Sequence, residues 1–182
     1  ASPDLRMIAL ERTKDLLAGM GFVECVTHAL VSERIAQAFL PQGQSALRIE
    51  DERAGGTPCL RPAAATGPVS ARVINADRGA REGVRLFEIA HAFRLGSDGN
   101  HREWQALGLV ADAPDASEGY RTMRGVIERL AHELAGEKVT VEPAAAGGGM
   151  GSAATVSLGG KPIGRIGLLS REAASAAGLD LS

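Results

Sequence analysis

The sequence lacks the features that mark a membrane or secreted protein. No apolar run approaches the roughly 20 residues that a helix needs to cross a bilayer, and the start, ASPDLRMIALERTKDL, lacks the basic-then-apolar order of a secretory signal. Its two cysteines, Cys25 and Cys59, have no CxxC spacing, which indicates reduced core thiols rather than a disulfide or a metal pair. We therefore expect a cytoplasmic protein.

An excess of positive charge is also missing. The 182 residues include 20 Lys and Arg against 22 Asp and Glu, a formal net charge of -2. A surface that mainly neutralises nucleic-acid phosphates needs a clear basic excess on one face, so this domain is not expected to be the main anchor of an RNA. The four histidines share no short spacing with cysteine or carboxylate, and the sequence therefore predicts no metal site.

What is present is the pattern of one domain over residues 1–182. The chain is 45% hydrophobic, with no internal repeat and no sharp change of composition. Apolar residues at helical spacing follow capping signals, which predicts helices that begin near Ser2, Ser32, Thr66 and Ser117. A short last helix is predicted at REAASAAG.

Several segments are typical of strands. Strands are predicted at 22–31, 46–51, 84–94 and 103–111, with one hairpin through the turn GSDGN and another across Gly159-Gly160. The Gly- and Ala-rich stretch AAAGGGMGSAA predicts a mobile loop. Because helices lie between hairpins rather than alternating strictly with strands, the order favours an α+β fold with an antiparallel sheet.

Residues 85–96, RLFEIAHAFRLG, carry charged side chains within a strand. Alternation places one set on a face that we expect to be covered, namely Phe87, Ile89, His91 and Phe93. The other set is Glu88, Ala90, Ala92 and Arg94, in which two alanines form a low floor between two charges where a ligand or another chain could lie. A solvated edge face explains the spacing equally well. We expect His91 in the core and His132 in solvent.

A further pattern is carried by four segments: ERTKDLLAGMGFVECVTHALVS, CLRPAAATGPVSARVINADRG, RLFEIAHAFR and PIGRIGLLS. Together they resemble the catalytic-like core of the phenylalanyl-tRNA synthetase β subunit. The first is similar to its first helix and strand, the second to its Leu-Arg, Pro-Gly and Asn-Arg stretch, and the third to its Arg-Leu-Phe-Glu-Ile strand. PIGRIGLLS followed by LDL is similar to its closing hairpin. The resemblance covers nearly the whole chain and implies a class II aminoacyl-tRNA synthetase-like fold, with helices flanking an antiparallel sheet, in a fragment of a longer β subunit.

The same resemblance implies that this chain has no catalytic residues. Class II synthetases hold ATP on a Phe-Arg-x-Glu strand, and residues 93–96 keep the Arg but lack the Glu; no Gly-rich run with a second Arg follows Leu168. Adenylate formation needs several charges acting together. Four residues are therefore expected to form a vestigial ligand-binding face: Glu88, Arg94, His101 and Glu103. This domain is expected to bind no cofactor, with ATP and magnesium at the partner α subunit.

The first helix and the strand after it correspond to the part of class II synthetases that forms a subunit interface. Five residues are expected at or just beneath a contact with the α subunit: Leu16, Leu17, Phe22, Cys25 and His28. The alternative is that all five are core residues, which is the better interpretation for Leu16 and Leu17.

Three functions are compatible with these observations. The leading hypothesis is a non-catalytic core domain that supports assembly of an α2β2 phenylalanine-tRNA ligase and reaches tRNA through the full complex. The second is a paralogue that senses an amino acid or nucleotide on the Glu88 and Arg94 face. A free-standing ligase has the least support, because the residues that would clamp ATP are missing.

Overall fold

The computed structural model describes residues 4–50, 55–56, 58–79, 82–96 and 98–180. Within these ranges the helices are α1 (Leu5–Gly19), α2 (Glu33–Phe39), α3 (Thr66–Asp77), α4 (Ala116–Ala135) and α5 (Arg171–Ala177). The strands are β1 (Val23–Glu24), β2 (Leu30–Val31), β3 (Cys59–Leu60), β4 (Arg85–Leu95), β5 (His101–Ala111), β6 (Val139–Ala144), β7 (Met150–Leu158) and β8 (Lys161–Leu169). No helix among them is long and apolar enough to span a membrane.

The strands form three small sheets, in the orders β1-β4-β5, β2-β3 and β6-β7-β8. All neighbouring pairs are antiparallel except β1 and β4, which pair in parallel through Val23 with Leu86 and Glu24 with Phe87. The α+β class with antiparallel sheets and flanking helices is thus confirmed. The longest pairing is the β4-β5 hairpin, which runs from Arg85 opposite Ala111 to Leu95 opposite His101.

Helices α1 and α4 cover one face of this hairpin. Leu17 of α1, Val126 and Leu130 of α4, Phe22 and Phe87 form one buried apolar cluster. Another side of α4 contributes Ala131 to a second cluster, with core residues of the third sheet: Val139, Ala154, Val156 and Ile166. Helix α4 therefore packs against both the hairpin and the third sheet, and burial of this apolar surface stabilises their arrangement.

Most helix ends follow from local sequence. The Ser32 side chain accepts a hydrogen bond from the Ile35 N–H at the start of α2, and α3 begins at Thr66, both as predicted. The predicted caps of α1 and α4 need correction. Asp4 caps α1, with Ser2 outside the described residues, and Asp115 rather than Ser117 caps α4.

Three of the predicted strand and loop assignments are wrong. Residues 22–31 are not one strand, because the chain leaves β4 after Glu24 and pairs with β3 only from Leu30. In 46–51, the described residues form only a bridge between Arg48 and Cys59, and position 51 lies outside the described residues.

The predicted mobile loop is ordered over much of its length. Strand β7 begins at Met150 and pairs with β8, and the buried Gly149 packs close to the Phe39 ring. Arg165 Nη1 also donates to the Gly147 carbonyl at 3.0 Å. Glycine content was a poor guide here because these glycines permit a tight turn against a neighbouring side chain.

Candidate functional site

The register of the β4-β5 hairpin divides the four residues of the predicted ligand-binding face. Directly paired residues point to the same side of a sheet, and alternate residues point to opposite sides. Arg94 pairs with Arg102, while Glu103 pairs with Phe93 and His101 with Leu95. Glu88 and Arg94 therefore lie on one side of the hairpin, and His101 and Glu103 lie on the other.

Glu88 lies inside the protein, in a cluster of hydrogen bonds. Glu88 is 3% exposed, and Arg61 Nη1 donates a hydrogen bond to its Oε1 at 3.0 Å. The Thr27 N–H donates to the same Oε1 at 2.9 Å, and the Thr27 hydroxyl donates to Oε2 at 2.8 Å. Both carboxylate oxygens thus have partners from this chain, which is what a buried carboxylate requires.

Arg61 joins three separated segments through the same cluster. Its Nε donates to the His91 carbonyl at 2.8 Å, and its Nη1 lies 3.2 Å from the Thr27 hydroxyl. The planar guanidinium can make these bonds at once because its donors have a fixed fork geometry. The Leu-Arg and Phe-Glu-Ile segments that stand out in the sequence therefore meet each other rather than an open surface.

The floor beside Glu88 is covered by the segment 61–67. Ala90 is 7% exposed and Ala92 is fully buried. A Cβ added at Gly108 would lie 2.5 Å from the backbone carbon of Ala64, so this segment lies directly on the hairpin. The prediction of an open floor was wrong because the covering segment comes from a distant part of the sequence.

The opposite face of the hairpin, which carries Phe87 and His91, is covered only near the start of β4. Phe87 is 2% exposed beneath α1 and α4, as expected. His91, which we expected in the core, has a side chain that is 48% exposed and pairs through Nδ1 with Glu103. The hairpin extends beyond the two helices, so its later residues face outward. His132 on α4 is exposed, as predicted.

Arg94 lies at the far end of the hairpin in a different setting. Its Cζ is 4.9 Å from the centre of the Trp104 ring, and its Nε donates to the Pro62 carbonyl at 3.4 Å. Partial burial lowers the pKa of this guanidinium from its ordinary value. A cavity of about 580 Å³ opens beside it. Sequence reasoning did not select Arg102 and Trp104 for this site, although counting the hairpin register outward from its turn would have placed both on this face.

The predicted interface residues fall into two groups. Leu17 and Phe22 are core residues, with exposures of 0% and 3%, and Leu16 packs against the same cluster. The Cys25 thiol, half-buried, donates to the Phe87 carbonyl at 3.4 Å, and burial is the main cause that raises its pKa to about 11. His28 is exposed.

Exposed apolar side chains lie next to these residues along the chain. Val23 and Val26 are 64% and 88% exposed, and Leu5 and Ile8 of α1 are also exposed. In the described ranges, no group of three or more His, Cys, Asp and Glu side chains is arranged to hold a metal ion.

Comparison with known proteins identifies relatives of this fold and sequence. The family described as phenylalanyl tRNA synthetase beta chain CLM domain matches residues 2–182. The chain is 32% identical over 110 residues to the phenylalanine–tRNA ligase beta subunit of Cereibacter sphaeroides. This aligned stretch covers 60% of this chain and 13% of that protein. It is 35% identical over 83 residues to the subunit of the same name from Rhodopseudomonas palustris, covering 46% and 10%.

Solved structures share the fold at lower sequence identity. A pyrrolysyl-tRNA synthetase from Desulfitobacterium hafniense superposes with a TM-score of 0.64 at 22% identity, over 88% of this chain and 57% of that one. A second structure of that type of enzyme from the same organism gives a TM-score of 0.63 at 21% identity, over 86% and 54%. The architecture is thus that of a class II aminoacyl-tRNA synthetase.

Proposed function

Since the chain belongs to the phenylalanyl tRNA synthetase beta chain CLM domain family, we propose that it is a non-catalytic core domain that assembles with the catalytic α subunit of a phenylalanine-tRNA ligase. The proposed assembly is an α2β2 complex in the cytoplasm, and tRNA is reached through the complex. The α subunit supplies the site for ATP and magnesium, and this domain binds neither. The chain spans only about a tenth of the length of the curated relatives, so these properties are proposed for the larger protein.

One observation carries the non-catalytic part of the proposal. The side of the hairpin with Glu88, Ala90 and Ala92 is filled by the chain's own residues 61–67. Amino-acid activation requires the substrate and ATP to lie together in reach of several charged groups. With Glu88 already paired to Arg61, the part of the hairpin between Glu88 and Ala92 offers neither the space nor a free carboxylate.

The exposed apolar residues support the assembly part. Val23 and Val26 expose most of their surface in water, and burying apolar surface against a partner is favourable by about 25 cal/mol per Å². They lie in the same segment as Cys25 and His28, and Leu17 and Phe22 anchor that segment from beneath. We define the interface patch as Val23, Val26 and His28.

A binding experiment tests the assembly role. The chain is mixed with the α subunit of the same organism, and complex formation is followed by size-exclusion chromatography with light scattering. We expect a complex whose affinity falls at least about tenfold in Val26→Asp, because a carboxylate would then be buried in the contact. Ile163→Asp, at a 57% exposed residue on β8, is the matched control and should bind normally. Two species that never associate, or an equal loss in both variants, would contradict the interface patch.

A second experiment tests the absence of catalysis. Exchange of labelled pyrophosphate into ATP is measured in the presence of phenylalanine. We expect none with the chain alone and exchange only when the α subunit is present. Exchange by the isolated chain would overturn the proposal.

The sensing alternative has less support on the same grounds. A module that binds an amino acid or nucleotide on the face formed by Glu88, Arg94 and the two alanines would need the floor between Glu88 and Arg94 to be open. Its coverage by residues 61–67 disfavours such a site.

A further inference from the structure

The far end of the β4-β5 hairpin carries a surface that the assembly role does not use. A cavity of about 580 Å³ opens there beside the loop 43–45. We define the hairpin-end surface by four residues that line this cavity: Arg94, Leu95, Arg102 and Trp104. Exposure rises along β4 from the fully buried Ala92 to the half-buried Arg94, so this end of the hairpin is accessible to a partner.

The hairpin-end surface has one positive charge in excess. Arg94 and Arg102 are directly paired in the hairpin register, so both side chains point to the same side, and like charges in this position destabilise the pair. Asp98 offsets one of the two charges, since its Oδ2 lies 3.2 Å from Arg102 Nη2. No carboxylate of a described residue forms an ion pair with Arg94, so its charge is the one that stays uncompensated.

The guanidinium of Arg94 is held in place with part of its donors free. Its Cζ lies 4.9 Å from the centre of the Trp104 ring, and its Nε donates to the Pro62 carbonyl at 3.4 Å. Within the described part of the chain, its two Nη groups have no hydrogen-bond acceptor. Two N–H groups of a guanidinium match the two oxygens of a carboxylate, so Arg94 presents a fork that fits this group.

The charge of the surface limits the anion that it can bind. Nucleic acids and nucleotide polyphosphates carry several negative charges and are held by several cations acting together. Two arginines and Asp98 leave a single positive charge in excess here, and the whole chain has a net charge of -2. One carboxylate neutralises that charge, so the surface favours the side chain of an Asp or Glu.

The residues around Arg94 indicate a protein partner rather than a free small acid. Arg and Trp are the residue types most enriched at the centres of protein interfaces, and here they lie in contact. A carboxylate bound to Arg94 would bring its neighbouring side chains against Trp104 and Leu95. On the loop side, a Cβ added at Gly43 would meet nothing within 4 Å, which leaves room for the backbone of an extended segment.

We propose that the hairpin-end surface docks an extended acidic segment of a protein partner, with one Asp or Glu bound to Arg94 and its apolar neighbours packed on Trp104. Such docking involves no reaction and no nucleotide. It goes beyond the assembly role and does not depend on it, because the interface patch and this surface share no residue.

A peptide selection tests the chemistry of the partner. Random peptides of about seven residues are displayed on phage and selected on the immobilised chain, and the selection is repeated on Arg94→Gln. We expect the parent protein to enrich peptides in which Asp or Glu stands next to apolar residues. The selection on Arg94→Gln should lose this enrichment, because the variant lacks the charged fork.

The fluorescence of Trp104 then measures the binding. Trp104 is the single tryptophan of the chain, so its emission reports on the hairpin-end surface. An enriched peptide without tryptophan is titrated beside a copy in which Gln or Asn replaces the acidic residue, and beside an oligouridylate as the nucleic-acid alternative. We expect saturation by the acidic peptide and at least about tenfold weaker binding of the amide copy.

Three variants of the protein separate docking from a structural effect. Arg94→Gln should weaken binding of the acidic peptide at least about tenfold, because it removes charge-assisted hydrogen bonds. Asp98→Asn should tighten it by about threefold, because it removes a competing carboxylate that is partly exposed. Arg121→Gln, at an exposed arginine on α4 that pairs with Glu118, should bind like the parent protein. Far-UV circular dichroism checks that all variants fold.

Several results would overturn the proposal. They are a selection that enriches no acidic peptide, equal binding of the amide copy, and a loss in Arg121→Gln as large as in Arg94→Gln. Weaker binding by Asp98→Asn also contradicts it, and tighter binding of the oligouridylate than of the peptide would mean that the surface prefers nucleic acid. None of these results depends on Val26→Asp, so a failure here is distinct from a failure of the assembly role.

Discussion

Arg61 and Glu88 form a buried ion pair, with Nη1 3.0 Å from Oε1 and side chains only 7% and 4% exposed. Glu88 lies in β4, on the side of the hairpin where its carboxylate could otherwise have faced a ligand. Each partner also has further hydrogen bonds, to Thr27 and to the His91 carbonyl. The most recognisable charged residues of this chain therefore serve its own folding.

Glu88→Gln should strongly destabilise the protein. The substitution leaves the Arg61 charge buried without its counter-ion, and breaking a buried pair in this way lowers the free energy of unfolding by about 3 kcal/mol or more. Urea unfolding followed by circular dichroism measures the loss. Glu128→Gln is the matched control, because its pair with Arg124 is about half exposed and should contribute less than about 1 kcal/mol. Similar losses in the two variants would argue against a structural role for the Arg61 pair.

Gly108→Ala should destabilise the protein because the covering segment leaves no space for a methyl group. The new Cβ would lie 2.5 Å from the Ala64 backbone, and overpacking of this kind lowers the free energy of unfolding by about 2 kcal/mol. Gly164→Ala in β8 is the control, since its Cβ would meet nothing within 4 Å. We expect that variant to be unchanged or stabilised by up to about 1 kcal/mol in thermal or urea unfolding. A neutral Gly108→Ala would mean that residues 61–67 do not lie on the hairpin.

The raised pKa of the Cys25 thiol predicts that the protein loses stability at alkaline pH. Its pKa is raised from an ordinary 9.0 to about 11 in the folded protein, with burial as the main cause. Between these pH values the unfolded chain releases the thiol proton while the folded protein keeps it, so stability falls as the pH rises. The free energy of unfolding should therefore fall less steeply over this range in Cys25→Ala than in the parent protein. Cys59 stays in both proteins as a common background, and parallel pH profiles would contradict the raised pKa.

Gly149→Ala tests whether the Gly-rich turn is packed. Its φ of 85° is unfavourable for alanine, and the new Cβ would also lie 2.7 Å from the Phe39 ring. Together these effects should lower the free energy of unfolding by about 3 kcal/mol. Gly160→Ala has a similar φ of 75° in open space and should lose only about 1 kcal/mol. Equal losses would indicate that Phe39 does not restrict this turn.

The elements that sequence reasoning predicted well depend on neighbouring residues. Ser32 caps α2 and Gly159-Gly160 turn the last hairpin, each through contacts within a few positions of the chain. The β4-β5 hairpin was likewise predicted because its turn and both strands are contiguous.

The errors arose where distant segments meet. Residues 22–31 have strand-like composition, but Thr27 turns from the strand path to bond Glu88, 61 positions later. The alternation of β4 correctly separated its two faces, yet it carried no information that residues 61–67 cover the Glu88 face. His91 looked like a core residue because composition cannot show how far α1 and α4 reach along the hairpin.

The cluster of Thr27, Arg61 and Glu88 also bears on how quickly the protein unfolds. Its partners are separated by 34, 27 and 61 positions, so the cluster can close only after long loops have been ordered. Contacts of this kind are commonly absent from the folding transition state, and weakening them mainly accelerates unfolding. The lifetime of the native protein, more than its rate of formation, is therefore what these three side chains should control.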